Sequence, residues 1–297
     1  VIGRAVGAGW REVFGRKSTA RLVVVVSDLH CGHRLGLLAP DTELLEESST
    51  PEDPETWIPS LGPTQRYLWD LYSEHLQAVT GRGAEVTVIV NGDLTHGVRY
   101  GEGLFTGSIY DQCVVAEKCL EPWLELGASA LRIVRGTASH TVEGSTESLI
   151  AGKLKASYPE ANVGIAGHGL FAIGQVFFDV AHHGPSRGIR EWTSGNQARY
   201  YLRSLMFGEI GRGRRPPDWV IRSHYHTYLP PERVNAGGYT SEIVLTPSYC
   251  GMNGHGRQAT RSQHVQTHGL IVFEVEGARC HCEPMIETMD LRSAETL

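Results

Sequence analysis

Residues 22–27, Leu-Val-Val-Val-Val-Ser, place five apolar residues in a row, four of them β-branched, directly before Asp28-Leu29-His30. A run this short and this apolar reads as a strand covered on both faces. A chain built on it needs one layer of structure above its sheet and another below. Val86–Val90 (VTVIV) repeats the pattern and leads into Asn91-Gly92-Asp93. Both strands therefore run out onto a carboxylate, and sites in α/β folds gather at the carboxyl ends of strands.

Between them, Tyr67, Leu68, Leu71, Tyr72, Leu76 and Val79 recur at helical spacing over Thr64–Val79, and Gly81 and Gly83 end that helix. Further helices are expected over Ile109–Leu126, Ser145–Ala156 and Gln197–Met206. Further strands are expected over Leu131–Val134, Leu170–Ile173 with its hairpin partner Val176–Ala181, Trp219–Arg222, Ile243–Thr246 and Leu270–Val275. Strand and helix alternate in the first half and strands dominate the second, which predicts an α/β fold of sheet packed on sheet with helices outside. Residues 35–63, polar, acidic and Pro-rich, read as an inserted surface loop, and residues 1–20 as a short N-terminal arm. A single domain over 1–297 is expected, and no apolar run is long enough to span a bilayer.

The net charge is −6, but residues 41–55 hold seven acids and no Lys or Arg, so the remainder of the chain stands at +1. That balance offers little basis for a broad nucleic-acid surface. Six cysteines in 297 residues do not form a disulfide framework, and reduced thiols of a cytoplasmic protein are the expectation. Cys280 and Cys282 form a lone C-x-C with no second pair to complete a zinc site.

Five polar motifs follow strands: Asp28-Leu29-His30, Gly92-Asp93, Gly136-Thr137-Ala138-Ser139-His140, His182-His183-Gly184 and His224-Tyr225-His226. In extended chain, residues i and i+2 point the same way, so Asp28 with His30, and His224 with His226, can each reach one cluster. Adjacent His182 and His183 point apart; His183, beside Gly184, is the expected ligand and His182 a supporting or core residue. Several imidazoles with two carboxylates suit Mn, Fe, Zn, Ni or Co better than Ca or Mg. Asp93 can bridge two such ions, an arrangement that generates hydroxide and stabilises a leaving oxygen in displacement at phosphate.

In this order the motifs resemble the calcineurin-like metallophosphoesterase superfamily, whose pattern reads D-x-H, G-D, G-N-H-[DE], an isolated His before Gly, then G-H-x-H. The resemblance runs from Val23 to about Thr227. It implies a four-layer α/β/β/α sandwich of two mixed sheets flanked by helices. It implies one metal on Asp28, His30, Asp93 and His226, and a second on Asp93, His183 and His224. Two departures stand out. Ser223 replaces the Gly of the last motif. In the third, the Asn ligand is replaced by Thr137 or Ser139, depending on the alignment, and Thr141 stands where the acid is expected. His140 is then either recruited as a ligand or set beside the leaving group as a hydrogen-bond or proton donor.

Around these motifs, His96 is a candidate to bind substrate or a ligand's second nitrogen, and Arg187 with Arg190 to clamp an anion. His33 and Arg34 follow the first motif. Arg212, Arg214 and Arg215 read as a solvated face, and His255 follows a strand without a clear role. The expected activity is metal-dependent hydrolysis of a phosphodiester or small nucleotide-type ester, with two divalent ions, manganese foremost. The alternatives are a DNA nuclease of the same superfamily, a catalytically silent metal-binding scaffold on this fold, and a structural metal site that staples the fold.

Overall fold

The computed structural model describes residues 20–142, 144–188, 190–252, 254 and 264–293. The expected N-terminal arm lies outside these residues except for Ala20, and so does His255. In chain order the elements are β1 (Arg21–Val26), β2 (Leu44–Leu45), β3 (Thr56–Trp57), α1 (Pro63–Thr80), β4 (Glu85–Asn91), α2 (Ile109–Glu125), β5 (Ala130–Val134), α3 (Ala138–Thr141), α4 (Ser145–Ser157), β6 (Asn162–Ala166), β7 (Gly169–Ile173), β8 (Val176–Val180), α5 (Asn196–Gly211), β9 (Trp219–Arg222), β10 (Leu229–Ala236), β11 (Tyr239–Leu245), β12 (Val265–Glu276) and β13 (Arg279–Asp290). The fold is mixed α/β, with three sheets and five α-helices among the described residues.

The larger sheet runs β13-β12-β1-β4-β5-β6 and the second β10-β11-β9-β8-β7; β2 and β3 form a small hairpin. In the first, β1, β4, β5 and β6 are parallel, with Val26 opposite Val90 and Asn91 opposite Val134. In the second, β8, β9 and β11 are parallel. Their carboxyl ends, not their amino ends, carry the polar motifs.

Alternation along the strands sorts the core into three clusters. Leu22, Val24 and Val26 of β1, Val86, Val88 and Val90 of β4, and Leu270 and Val272 of β12 face one way, against Leu68 and Tyr72 of α1, Val115 and Trp123 of α2 and Leu154 of α4. Val23, Val25, Ile89, Ile271 and Phe273 face the other way and meet Phe178 and Val180 of β8, Trp219 and Ile221 of β9 and Val244 of β11. On the far side of the second sheet, Val220, Ile243 and Leu245 pack on Ala198, Leu202 and Met206 of α5.

Three expectations are corrected. Residues 35–63 are not wholly a surface loop: Leu37, Leu38, Ala39 and Leu44 are buried in the cluster beneath α1 and α2, because these apolar side chains fall just after β1 and fold back onto it. Helix α5 runs to Gly211 and β12 begins at Val265, both longer than their apolar pattern suggested. Strands β6, β10 and β13 carry no strong apolar signal because they lie at sheet edges. On β13, Cys280 and Cys282 are the partly buried alternating positions packed against the inter-sheet cluster, which accounts for the C-x-C. No helix among the described residues is long and apolar enough to cross a membrane.

Phe273 is fully buried where the sheets meet, edge-on to Phe178 at 5.2 Å and to Trp219 at 4.9 Å. Truncating it leaves a void that neither sheet can fill. Phe273→Ala is expected to lower the unfolding free energy by about 3–5 kcal/mol, measured by urea denaturation as a lower midpoint with an unchanged slope.

Candidate metal centre

The parallel strands of both sheets end at a common seam, and a buried amide joins the two rims. Asn91, the last residue of β4, donates from Nδ2 to Ala181 O at 3.1 Å and to Ser223 Oγ at 2.6 Å, both on the second sheet's side. Its carbonyl accepts from His182 Nδ1 at 2.7 Å and from Ser27 Oγ at 2.9 Å. Ser223 N donates to His182 O at 2.9 Å. The sequence signal for Asn91 is a polar residue at the buried end of an apolar strand. Ser223, the departure from glycine in the last motif, is the hydroxyl this amide uses.

Beyond the seam the backbone does not continue as extended chain. Asp28 (φ 53°), His30 (φ 47°), Asp93 (φ 50°), His224 (φ 77°) and His226 (φ 51°) are all in the left-handed region, the only other non-glycine case among the described residues being Val142. Asp and His tolerate this region better than most residues, yet each instance costs about 1–3 kcal/mol unless the surroundings over-determine it. The shared direction of Asp28 with His30, and of His224 with His226, therefore comes from these turns and not from strand pleat.

The turns converge on one cluster. His226 Nε2 lies 3.1 Å from His30 Nε2 and 3.3 Å from Asp28 Oδ1; His30 Nε2 is 4.0 Å from the same oxygen. Around Asp93 Oδ2 stand His182 Nε2 at 3.0 Å, Thr137 Oγ1 at 3.2 Å and His224 Nδ1 at 3.9 Å. Two donors each about 2.0–2.2 Å from one ion sit about 3.0–3.5 Å apart, so much of this spacing is that of a coordination shell. Asp28 Oδ1 and His182 Nε2 are buried without a hydrogen bond, both facing the cluster, the state in which a cation satisfies them. Four groups could hold a metal ion: Asp28–His30–Asp93, Asp93–His182–His224, His30–His226–Cys250 and His30–His96–His140.

The electrostatics agree with a cationic occupant. Burial alone would raise the Asp28 and Asp93 carboxyls, but the surrounding histidines together outweigh it, His182 foremost with His226 for Asp28 and His224 for Asp93: Asp93 is held well below the ordinary carboxylate value and Asp28 below it. Burial alone would depress His182, yet the two carboxylates lift it to about 9. Two buried carboxylates side by side thus call for positive charge, which a bound cation would supply. Burial and neighbouring imidazoles push His30 well down and His96 to about 4, so both are neutral at pH 7.

His182, not His183, therefore occupies the space between Asp28 and Asp93. Its neighbour His183 is exposed, with Nε2 3.4 Å from Thr137 Oγ1 and its ring 4.5 Å from that of His224. The pleat reading separates the two, and adjacency to Gly184 favours His183; it is His182 that faces Asp28 and Asp93, past the end of β8 at Val180. Of the two hydroxyls in the third motif, Thr137 joins the cluster. Its backbone N–H donates to Asp93 Oδ1 at 2.6 Å and its Oγ1 lies 3.3 Å from His224 Nδ1. Buried Glu147, unforeseen, accepts from Gly136 N at 3.2 Å and steadies the same loop.

His140 lies in α3 beside the cluster. Its Nδ1 donates to His96 O at 2.5 Å and its ring meets that of His30 edge-on at 4.7 Å. His96 is buried with both ring nitrogens engaged by protein atoms. His33 donates to Glu102 O at 3.0 Å and accepts from Leu35 N at 3.1 Å, which leaves neither nitrogen for phosphate. Arg187 Nε donates to Ser194 Oγ at 3.0 Å. Arg214 and Arg215 are paired with Glu209 and Asp218. Compared with known families and curated proteins, the chain matches no family model and no curated protein.

Gly136 lies where the third motif passes over Asp93; a Cβ there would stand 2.2 Å from Asp93 N and Oδ1. Gly136→Ala must displace that carboxylate. Its Mn affinity, measured by competition with a chromophoric chelator, is expected to fall about 10–100-fold while the circular dichroism spectrum is retained.

Proposed function

We propose that this protein is a metal-dependent phosphoesterase of the calcineurin-like type, hydrolysing a phosphodiester or a small nucleotide-type ester. In this reading the three apolar clusters separate the layers of a four-layer α/β/β/α sandwich. Two divalent ions bind at the seam, manganese foremost and iron, zinc, nickel or cobalt in its place. Asp28, His30 and His226 hold one. His182, His224 and Thr137 hold the other, with His183 at its exposed side. Asp93, which belongs to two of the metal-capable groups, is shared between them.

When bound, such a pair polarises the ester and lowers the pKa of water. The chain's own residues do the rest. Left-handed turns at five Asp and His residues aim their donors at one point before any ligand arrives, and this convergence is the observation that carries the reading. His140 is held through Nδ1–H, which leaves Nε2 for the substrate: an acceptor in the neutral ring, and a proton donor to the leaving oxygen only in the imidazolium form. Thr137 orients Asp93 through its backbone N–H and supplies a neutral oxygen where the superfamily pattern has an amide.

A nuclease needs a cationic track, and two of the basic-loop arginines are neutralised by their own neighbours, Glu209 and Asp218. A small diester therefore fits better than a DNA strand.

Hydrolysis of bis(p-nitrophenyl) phosphate and p-nitrophenyl phosphate, with metal content determined on the same sample, tests the proposal. Mn-dependent diester turnover is expected, abolished by chelator and lowered at least about 100-fold by Asp93→Asn. Turnover of the monoester alone would make it a phosphatase. Metal-replete protein inert on both esters would favour a silent scaffold, and failure to retain any metal after Mn loading would overturn the centre.

A further inference from the structure

We propose that His96 is a positioning residue of this centre: its imidazole dictates which nitrogen of His30 carries the proton, so that His30 presents a lone pair at Nε2 to the ion. The inference rests on the metal-centre reading above.

The chain of donors leaves one solution. His96 Nε2 lies 3.1 Å from Tyr100 O. A carbonyl only accepts, so Nε2 carries the hydrogen. A neutral imidazole then has its single lone pair on Nδ1. That nitrogen is 3.2 Å from His30 Nδ1, which must donate. His30 is left with an unprotonated Nε2, the atom 3.1 Å from His226 Nε2 and 4.0 Å from Asp28 Oδ1. In the opposite tautomer two lone pairs would face each other at 3.2 Å and a proton would point into the ligand cluster.

The surroundings hold His96 to this task. The His33 ring stacks on it at 4.4 Å and 25°, and His33 is itself fixed at both nitrogens. The loop that presents Tyr100 O is anchored by buried Gln112 of α2, which accepts from Gly97 N at 2.8 Å and donates to Gly97 O at 3.2 Å. The main-chain carbonyl of His96 also receives the Nδ1 hydrogen of His140. One residue thus orients both imidazoles, His30 through its side chain and His140 through its backbone. A further ion among His30, His96 and His140 is the competing use of this group. It would strip both nitrogens of His30 if Nε2 also served the Asp28 side, a more costly state than one shared hydrogen.

Long-range proton–nitrogen spectra of metal-free protein labelled with ¹⁵N-histidine read the tautomer directly. His30 is expected as the Nδ1–H form, with that preference lost in His96→Phe, which keeps a stacking ring without nitrogens. Mn affinity should fall about 10–100-fold in His96→Phe. His96→Asn, whose Oδ1 accepts where Nδ1 did, should recover most of it. Wild-type His30 found as the Nε2–H form, unaltered Mn affinity in His96→Phe, or anomalous scattering from an ion between His30 and His96 would each overturn the role. Should His96→Phe not fold, the wild-type spectrum and His96→Asn still decide. Wild-type protein that binds no Mn would sink the centre itself; equal Mn binding by wild type and His96→Phe would sink only the part assigned to His96.

Discussion

Two carboxylates, Asp28 and Asp93, are buried within one ligand cluster at the seam between two sheets, and much of the surrounding structure answers to that charge. Burying an ionised carboxylate is tolerated only where donors or a cation compensate it. Part of the compensation is local: Ser27 Oγ donates to Asp28 Oδ2, and Thr137 N to Asp93 Oδ1. Part comes across the seam, from His182 and His226. Asp28 Oδ1 is nonetheless buried without a hydrogen bond and faces the cluster, where a cation would satisfy it.

The apolar clusters make this arrangement possible. Their strands lock the register of β1 against β4, so the two carboxylates emerge from neighbouring parallel strands one turn past the last buried valines. The left-handed turns that follow are unfavourable in isolation. They persist because backbone bonds hold them in place: Asp28 N to Gly92 O at 3.1 Å and His30 N to Asp93 O at 3.0 Å. Gly92 permits part of this close approach, since a Cβ there would stand 2.3 Å from His182 Nδ1.

The centre of the fold was legible in the sequence because β1, β4, β8 and β9 are buried enough for composition alone to mark them, and α1 carries apolar residues at helical spacing. The edges were not: β13 alternates half-buried with exposed positions and offers no contrast to read. Residues 37–44 were hidden by the acids that follow them. At the site, residue type and order marked Asp28, His30, Asp93, His224 and His226, which the structure brings together. Backbone conformation was invisible, and with it the choice between His182 and His183 and the place of Thr137. Asn91 and Glu147 escaped notice because their work is to hold other residues, which leaves no spacing pattern.

The ligand turns begin at the ends of sheet strands, before any long connection, and this separates what the protein can vary from what it must keep. Residues 40–62 leave the first turn only after Leu37 N has bonded back to Leu29 O at 2.8 Å. Within that excursion residues 45–56 are mostly exposed, so that stretch can be lengthened, shortened or recharged without altering the spacing of Asp28, His30 and Asp93. The variable surface and the ligand cluster are thereby carried by different stretches of chain, and one can change while the other stands still.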